Sequence, residues 1–134
     1  MSEKAAAKHG RTPIARVHTA TLTGDDPVIM LTAPIPATAK ALEKSGLSID
    51  DIGVFEVNEA FASVPMAWLA ETGADPAKLN PNGGAIALGH PLGGSGARIM
   101  SDMIAHMKAG GIRYGLQTMC EGGGQANATI VELL

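Results

Sequence analysis

The chain has 134 residues, 46% hydrophobic and 17% charged, with a formal net charge of -3. That length fits one domain with a core of its own, and the apolar balance excludes an intrinsically disordered chain. The ten Lys and Arg residues are scattered from Lys4 to Arg113 without a run, so nucleic-acid binding has no electrostatic footprint.

Aromatic residues make up only 3% against 17 Gly and 7 Met, which predicts a core of small and flexible side chains packed closely. The single cysteine, Cys120, excludes an internal disulfide and points to a reducing compartment. The start "MSEKAAAKHG" lacks the apolar run of a signal peptide, and the uncharged span 79–97 is broken by Gly, Pro and Asn. We therefore expect a cytoplasmic location and no membrane partner.

In chain order, residues 2–9 favour helix and stop at Gly10, and Pro13 forces an extended entry into "IARVHTATL", whose alternation predicts a strand. Residues 1–12 are accordingly expected to form a helical tail or linker, and 13–134 the domain proper. Pro34 and Pro36 suit a first helical turn, so a helix is expected over 35–45 before Gly46. Ser48 to Asp51 has capping-box spacing, and "GVFEVN" predicts a short strand at 53–58. From Glu59 the apolar residues Phe61, Val64, Trp68 and Leu69 follow helical spacing up to Gly73, with Pro65 an oddity that predicts a kink or a frayed start. "GGAIALG" is a short apolar run. The helix after it carries Ile99, Met103, Ile104 and Met107 to Gly110-Gly111, and "RYGLQTMC" and "QANATIVELL" predict a hairpin of strands joined by "EGGG". Strands alternating with helices and ending on a hairpin imply a mixed sheet with helices on its faces.

Four places could carry chemistry: Asn58-Glu59 at a strand-to-helix junction, His90 in a glycine stretch, Cys120 at a strand end, and Gly122 to Gly124 beyond it. Each has a structural reading. Asn58 suits an N-cap, and a free cysteine is more often a small hydrophobe than a reactive thiol. His9, His18 and His106 carry no signal. His90 stands between Gly89 and Pro91, which presents its ring at a loop tip where functional groups gather. Glycines after Cys120 would let backbone N–H groups approach a bound oxygen, and an imidazole near the thiol could exchange a proton with it. Gly89 to Gly94-Ser95 repeats part of a phosphate-loop spacing, but the lysine is missing. One Cys and dispersed His give no metal-ligand spacing, so no metal is expected.

Together, "NEAFA" at 58–62, "NGGAIALGHPLGGSGAR" at 82–98 and "CEGGG" at 120–124 resemble the three C-terminal motifs of the thiolase family, in that family's order. The resemblance runs from about Pro13 to Leu134. It implies an α/β fold, a thiolase-like half with a mixed sheet of about five strands and helices on both faces in α/β/α layers. It also implies acyl transfer between 3-ketoacyl-CoA or acetyl-CoA and coenzyme A, with coenzyme A as substrate and no covalently bound cofactor.

By the same resemblance Cys120 would move the proton at the substrate or leaving thiol. His90 would activate a nucleophilic thiol and donate to the thioester oxygen. Asn58 would hold a water completing an oxyanion hole with His90, Gly122 would serve the acyl-transfer oxyanion hole, and Ala60 and Phe61 would line the pantetheine pocket. The family's nucleophilic cysteine lies in its N-terminal half, and the only cysteine here already has the other role. The resemblance therefore implies a C-terminal half that is inactive alone and needs an N-terminal half. The helix after Gly94 would belong to the family's central layer, leaving its Met-rich face exposed and prone to self-association. The alternatives are a non-catalytic acyl-CoA-binding or assembly module, and an independent Cys-His hydrolase.

Overall fold

The computed structural model describes residues 1–134, and its architecture follows from how three helices cover one sheet. Helix α1 (Glu3–Lys8) starts where the Ser2 hydroxyl accepts the Ala5 N–H, and it leads into strand β1 (Ala15–Gly24). Helix α2 (Pro34–Ser45) opens on proline and closes on Gly46 in the left-handed conformation, as the sequence predicts. The Ser48 capping box then turns the chain through a short 3-10 helix, with Asp51 Oδ2 accepting both the Ser48 N–H at 2.8 Å and its hydroxyl at 2.7 Å. Strand β2 (Val54–Val57), helix α3 (Ser63–Thr72), the single turn α4 (Ala85–Leu88) and helix α5 (Ser95–Gly110) follow, and the hairpin β3 (Tyr114–Glu121) and β4 (Gln125–Leu133) ends the chain.

The sheet has four strands in the order β1-β4-β3-β2, one fewer than expected. The apolar run at 83–89 contributes no strand: Ala85 to Leu88 turn as a helix, with the Leu88 and Gly89 N–H groups bonded back to Gly84 and Ala85. β1/β4 and β3/β4 are antiparallel, whereas β2 and β3 are parallel, with Val57 opposite Thr118. Parallel neighbours need a crossover, and the stretch from α3 to α5 supplies it. Both edges are managed. The outer edge of β2 is covered by Leu79 and by the Asn80 N–H bonded to Phe55 O, while Lys40 and Lys44 of α2 donate to the Leu22 and Ala20 carbonyls of β1.

Each sheet face buries its own core, as alternation along the strands requires. One face carries Phe55, Leu116 and Ile130 under α2 and α3, where Ala33, Ala37 and Ala41 let α2 sit close and Trp68 packs 5.1 Å from Phe55. The buried indole N–H is satisfied by Thr38 Oγ1 at 2.8 Å, and that hydroxyl donates in turn to Pro34 O. The other face carries Val54 and Val131 under Met103 and Met107 of α5.

This second core corrects the expectation of an exposed Met-rich helix. Met103 and Met107 are fully buried, because Gly115 on β3 offers no side chain and their sulfurs occupy its place. A Cβ at Gly115 would lie 2.7 Å from Met107 Sδ. The helix from Glu59 is also shorter than expected. It begins at Ser63, so Pro65 sits in the first turn, where the missing N–H has no intrahelical partner to lose.

Candidate functional site

The parallel pair β2/β3 ends at one edge of the sheet, the place where open α/β folds present loops to ligands. Asn58 continues β2 by one residue and donates its N–H to Thr118 O at 3.0 Å, so the "NEAFA" segment leaves the sheet beside the strand that leads to Cys120. The N-terminus of α5 arrives at the same end. Gln117 Nε2 donates to Gly96 O at 2.8 Å, and a Cβ at Gly96 would touch Met119 Sδ at 3.4 Å. Gly96 of "GGSGA" thus serves a close approach to β3 within this chain. Three motifs distant in sequence are gathered at one sheet end.

Asn58 is not a helix cap. α3 begins five residues later with Ala62 at the capping position, and the Asn58 side chain, 2% exposed, leaves both Oδ1 and Nδ2 without a hydrogen-bond partner. A buried amide in that state carries a desolvation cost of about 1–3 kcal/mol, so it demands a reason beyond local structure.

His90 is oriented by its own loop. Gly89 takes φ of 89°, a conformation unfavourable to side chains, and turns the chain out of α4. The imidazole Nδ1 then meets Ser95 Oγ at 2.6 Å, while the same oxygen lies 2.9 Å from Pro91 O. A carbonyl only accepts, so the single hydroxyl proton of Ser95 goes to Pro91 O and Oγ accepts from Nδ1–H. The neutral ring therefore carries its lone pair on Nε2, free to act as base or, when protonated, as donor.

Two bracing residues were not assigned a role from sequence. Glu59, inside the first motif, accepts the Ile86 N–H at 2.9 Å on Oε2 and an Asn80 Nδ2 proton at 3.0 Å on Oε1. Asn80 also exchanges two hydrogen bonds with the Val57 backbone, at 2.9 and 3.0 Å, which extends the sheet by a side chain. A Cβ at Gly84 would collide with the Glu59 carboxylate, so the second motif needs glycine there for close approach to the first. Within the sequence, the only signal was that Glu59 falls inside the first motif and Asn80 two residues before the second.

Cys120 is half-buried at the end of β3 and packs against the α2/α3-side core. Burial raises its pKa above the usual 9.0, its own backbone hydrogen bond opposes that, and neighbouring Glu121 adds to the rise. At neutral pH it is a thiol with a proton to give. Gly122 lies exposed in the three-residue turn that joins β3 to β4, and its N–H is donated to no turn, loop or cap carbonyl. Ala60 is half-buried and Phe61 59% exposed on the loop between β2 and α3, so the ring is presented outward rather than into the core. A shallow concavity lies elsewhere, against Leu22, Lys40, Lys44 and Asn127, where the two lysines cap the β1 edge. No three His, Cys, Asp or Glu side chains converge in metal-binding fashion, and no helix is long and apolar enough to cross a membrane.

A further polar group is buried beneath the site. Glu56, 1% exposed on the α5-covered face of β2, leaves Oε1 without a partner. Its pKa is pushed up to about 8, first by burial and then by the negative charges of Asp102 and Glu59. The unfolded chain releases this proton near 4.5 while the folded one keeps it, so stability is fully present below about 4.5 and falls as pH rises towards 8. Glu56→Gln, neutral at every pH, is expected to be more stable than the parent at pH 7.5 by on the order of 1–2 kcal/mol. Thermal melts check this: the difference should close in acid, and a parent more stable than the variant at neutral pH would refute it.

Comparison with known proteins agrees with this geometry. The family profile "Thiolase, C-terminal domain" matches residues 11–133. A steroid 3-ketoacyl-CoA thiolase, FadA6, of Mycobacterium tuberculosis is 62% identical over 133 residues, 99% of this chain and 33% of the relative. An acetyl-CoA acetyltransferase of Rhizobium meliloti is 49% identical over 134 residues, 100% of this chain and 34% of the relative. The crystal structure of human mitochondrial 3-ketoacyl-CoA thiolase in complex with CoA superposes with a TM-score of 0.95 at 46% identity, covering 99% of this chain and 34% of that one. The chain belongs to the thiolase family and has its C-terminal-domain fold. It spans about a third of the length of the curated relatives it matches.

Proposed function

We propose that this chain forms the C-terminal catalytic part of a thiolase, which moves an acyl group between 3-ketoacyl-CoA and coenzyme A by thiolytic cleavage or by the reverse condensation. The observation that carries the reading is the convergence of the three motifs at the end of β2 and β3, with the buried Asn58 amide left without a partner. A carbanion beside a thioester becomes accessible when fixed donors hold the enolate oxygen, because they need not reorient as charge develops. His90 Nε2 and a water held by Asn58 supply those donors. His90 also takes the proton of the nucleophilic thiol.

Cys120, protonated at rest, exchanges the proton at the substrate carbon and the leaving thiol. The Gly122 N–H, free of backbone partners, serves the oxyanion of the acyl-transfer step. Phe61 and Ala60 offer apolar surface to the pantetheine arm of coenzyme A. The sequence holds one cysteine, so the acyl-carrying nucleophile comes from a thiolase N-terminal segment as partner. An unpaired thiol in that role favours a reducing, cytoplasmic setting.

The test is acetoacetyl-CoA cleavage by the chain alone and after mixing with a thiolase N-terminal segment. A steroid 3-ketoacyl-CoA is a second substrate, chosen because the 62%-identical relative bears that name. Turnover is expected only in the mixture. Turnover by the chain alone overturns the assignment of the nucleophile, and tight coenzyme A binding without turnover in any mixture favours the binding module.

A further inference from the structure

Glu56 lies on β2 and Asn58 one residue beyond its end, still paired to β3 through its N–H, so the alternation of an extended chain puts both on the α5-covered side, about 7 Å apart. Both are buried and both have polar atoms without partners. An amide oxygen and nitrogen have the same shape, so an unpartnered Asn side chain has two orientations of similar packing. Holding one of them requires a proton aimed at Oδ1.

The other buried donors nearby are already committed. The Ser95 hydroxyl proton goes to Pro91 O, Gln117 Nε2 donates to Gly96 O and to Met119 Sδ, and Asn80 Nδ2 donates to Val57 O and Glu59 Oε1. A neutral Glu56 carries a further proton on this face, and its carboxyl has no other hydrogen-bond partner at Oε1. The charged groups acting on Glu56 are Asp102 from α5 and Glu59 from the β2–α3 loop, both acidic, while β3 presents the uncharged Gln117 opposite it. Nothing there favours an ionised carboxylate.

We infer that the Glu56 carboxylic acid, directly or through one bridging water, donates its proton to Asn58 Oδ1 and so aims Asn58 Nδ2 into the site. Glu56 is a positioning residue: it touches neither substrate nor reacting atoms and acts through the Asn58 amide. Ionisation of Glu56 removes the donor and substitutes a second acceptor, which releases or reverses the amide. The inference deepens the thiolase reading, but half of its test does not depend on turnover.

The first measurement follows the Asn58 side-chain NH2 resonances of the 134-residue chain by NMR between acid and alkaline pH. They should shift with a midpoint near that of Glu56, about 8, and remain still in Glu56→Gln. Pale or absent pH dependence in the parent overturns the inference, whatever the enzyme does. The second measurement uses the chain reconstituted with a thiolase N-terminal segment. Glu56→Leu should lower kcat on the order of tenfold or more with little change in KM, as expected for a misaimed group rather than lost substrate binding. Glu56→Gln, which keeps a neutral donor, should recover most of that loss and abolish the decline in rate above pH 8. A folded Glu56→Leu with the parent's kcat, or a Glu56→Gln with the parent's pH profile, overturns the inference while leaving the thiolase reading intact. Absence of turnover in the parent mixture would count against the thiolase reading alone, and the NMR titration would still decide the role of Glu56.

Discussion

His90→Ala is expected to lower kcat of the reconstituted enzyme on the order of a thousandfold or more, with the fold unchanged. The ring contributes twice in the proposed cycle, as base towards the nucleophilic thiol and as donor to the thioester oxygen, and alanine removes both. Its loss leaves little stability behind, because the half-buried ring makes one side-chain hydrogen bond, at 2.6 Å to Ser95. Ser95 separates the two roles of the loop. Ser95→Ala keeps the imidazole but frees Nδ1, so the ring can adopt the other tautomer and misdirect Nε2. A loss smaller than that of His90→Ala is expected. Steady-state kinetics with circular dichroism as a fold control check both variants, and a His90→Ala enzyme as fast as the parent removes His90 from the site.

Cys120→Ser is expected to produce a loss of similar size, on the order of a thousandfold in kcat, although the two side chains differ by one atom. Proton exchange needs an acid that can also be a base within the cycle. The Cys120 thiol starts above its usual 9.0 because it is half-buried, yet it remains far more acidic than a serine hydroxyl. A hydroxyl in the same place would hold its proton throughout. The sign of the shift gives an independent check: alkylation of Cys120 should be slow at neutral pH and accelerate only above about 9, because the thiolate is the reactive form. Rapid alkylation at neutral pH would show a depressed pKa and exclude the proton-donor role at rest. Retained turnover in Cys120→Ser would exclude the residue from proton transfer altogether.

Local signals were strong enough to locate most elements. Proline at the start of α2, Gly46 at its end, the Ser48–Asp51 box and the alternation of β3 and β4 each act within a few residues, so they can be seen in one dimension. The run at 83–89 carries no assignment from sequence because four apolar residues between glycines suit either period, and only backbone hydrogen bonds from Leu88 and Gly89 decide for a helical turn. The start of α3 was misjudged for a related reason. Phe61 falls on the helical spacing of Val64 and Trp68, yet it lies on the loop, exposed. The Met-rich face of α5 looked exposed because the glycine that receives it, Gly115, stands on another element.

The sequence by itself determined the motifs, their order and the chemistry their residue types permit: an imidazole at a glycine loop, a lone thiol before glycines, an amide at a strand end. Those properties reside in single residues and short spacings. Only the tertiary structure decided that Asn58 caps nothing and is left buried without partners, that Ser95 selects the tautomer of His90, that Glu59 and Asn80 brace the second motif, and that Glu56 lies beneath the site without a cation. Each of these depends on what else is nearby when water is excluded, and neighbours that are 20 or more residues apart in the chain, such as Glu59 and Ile86 or Gln117 and Gly96, meet only after the sheet has formed.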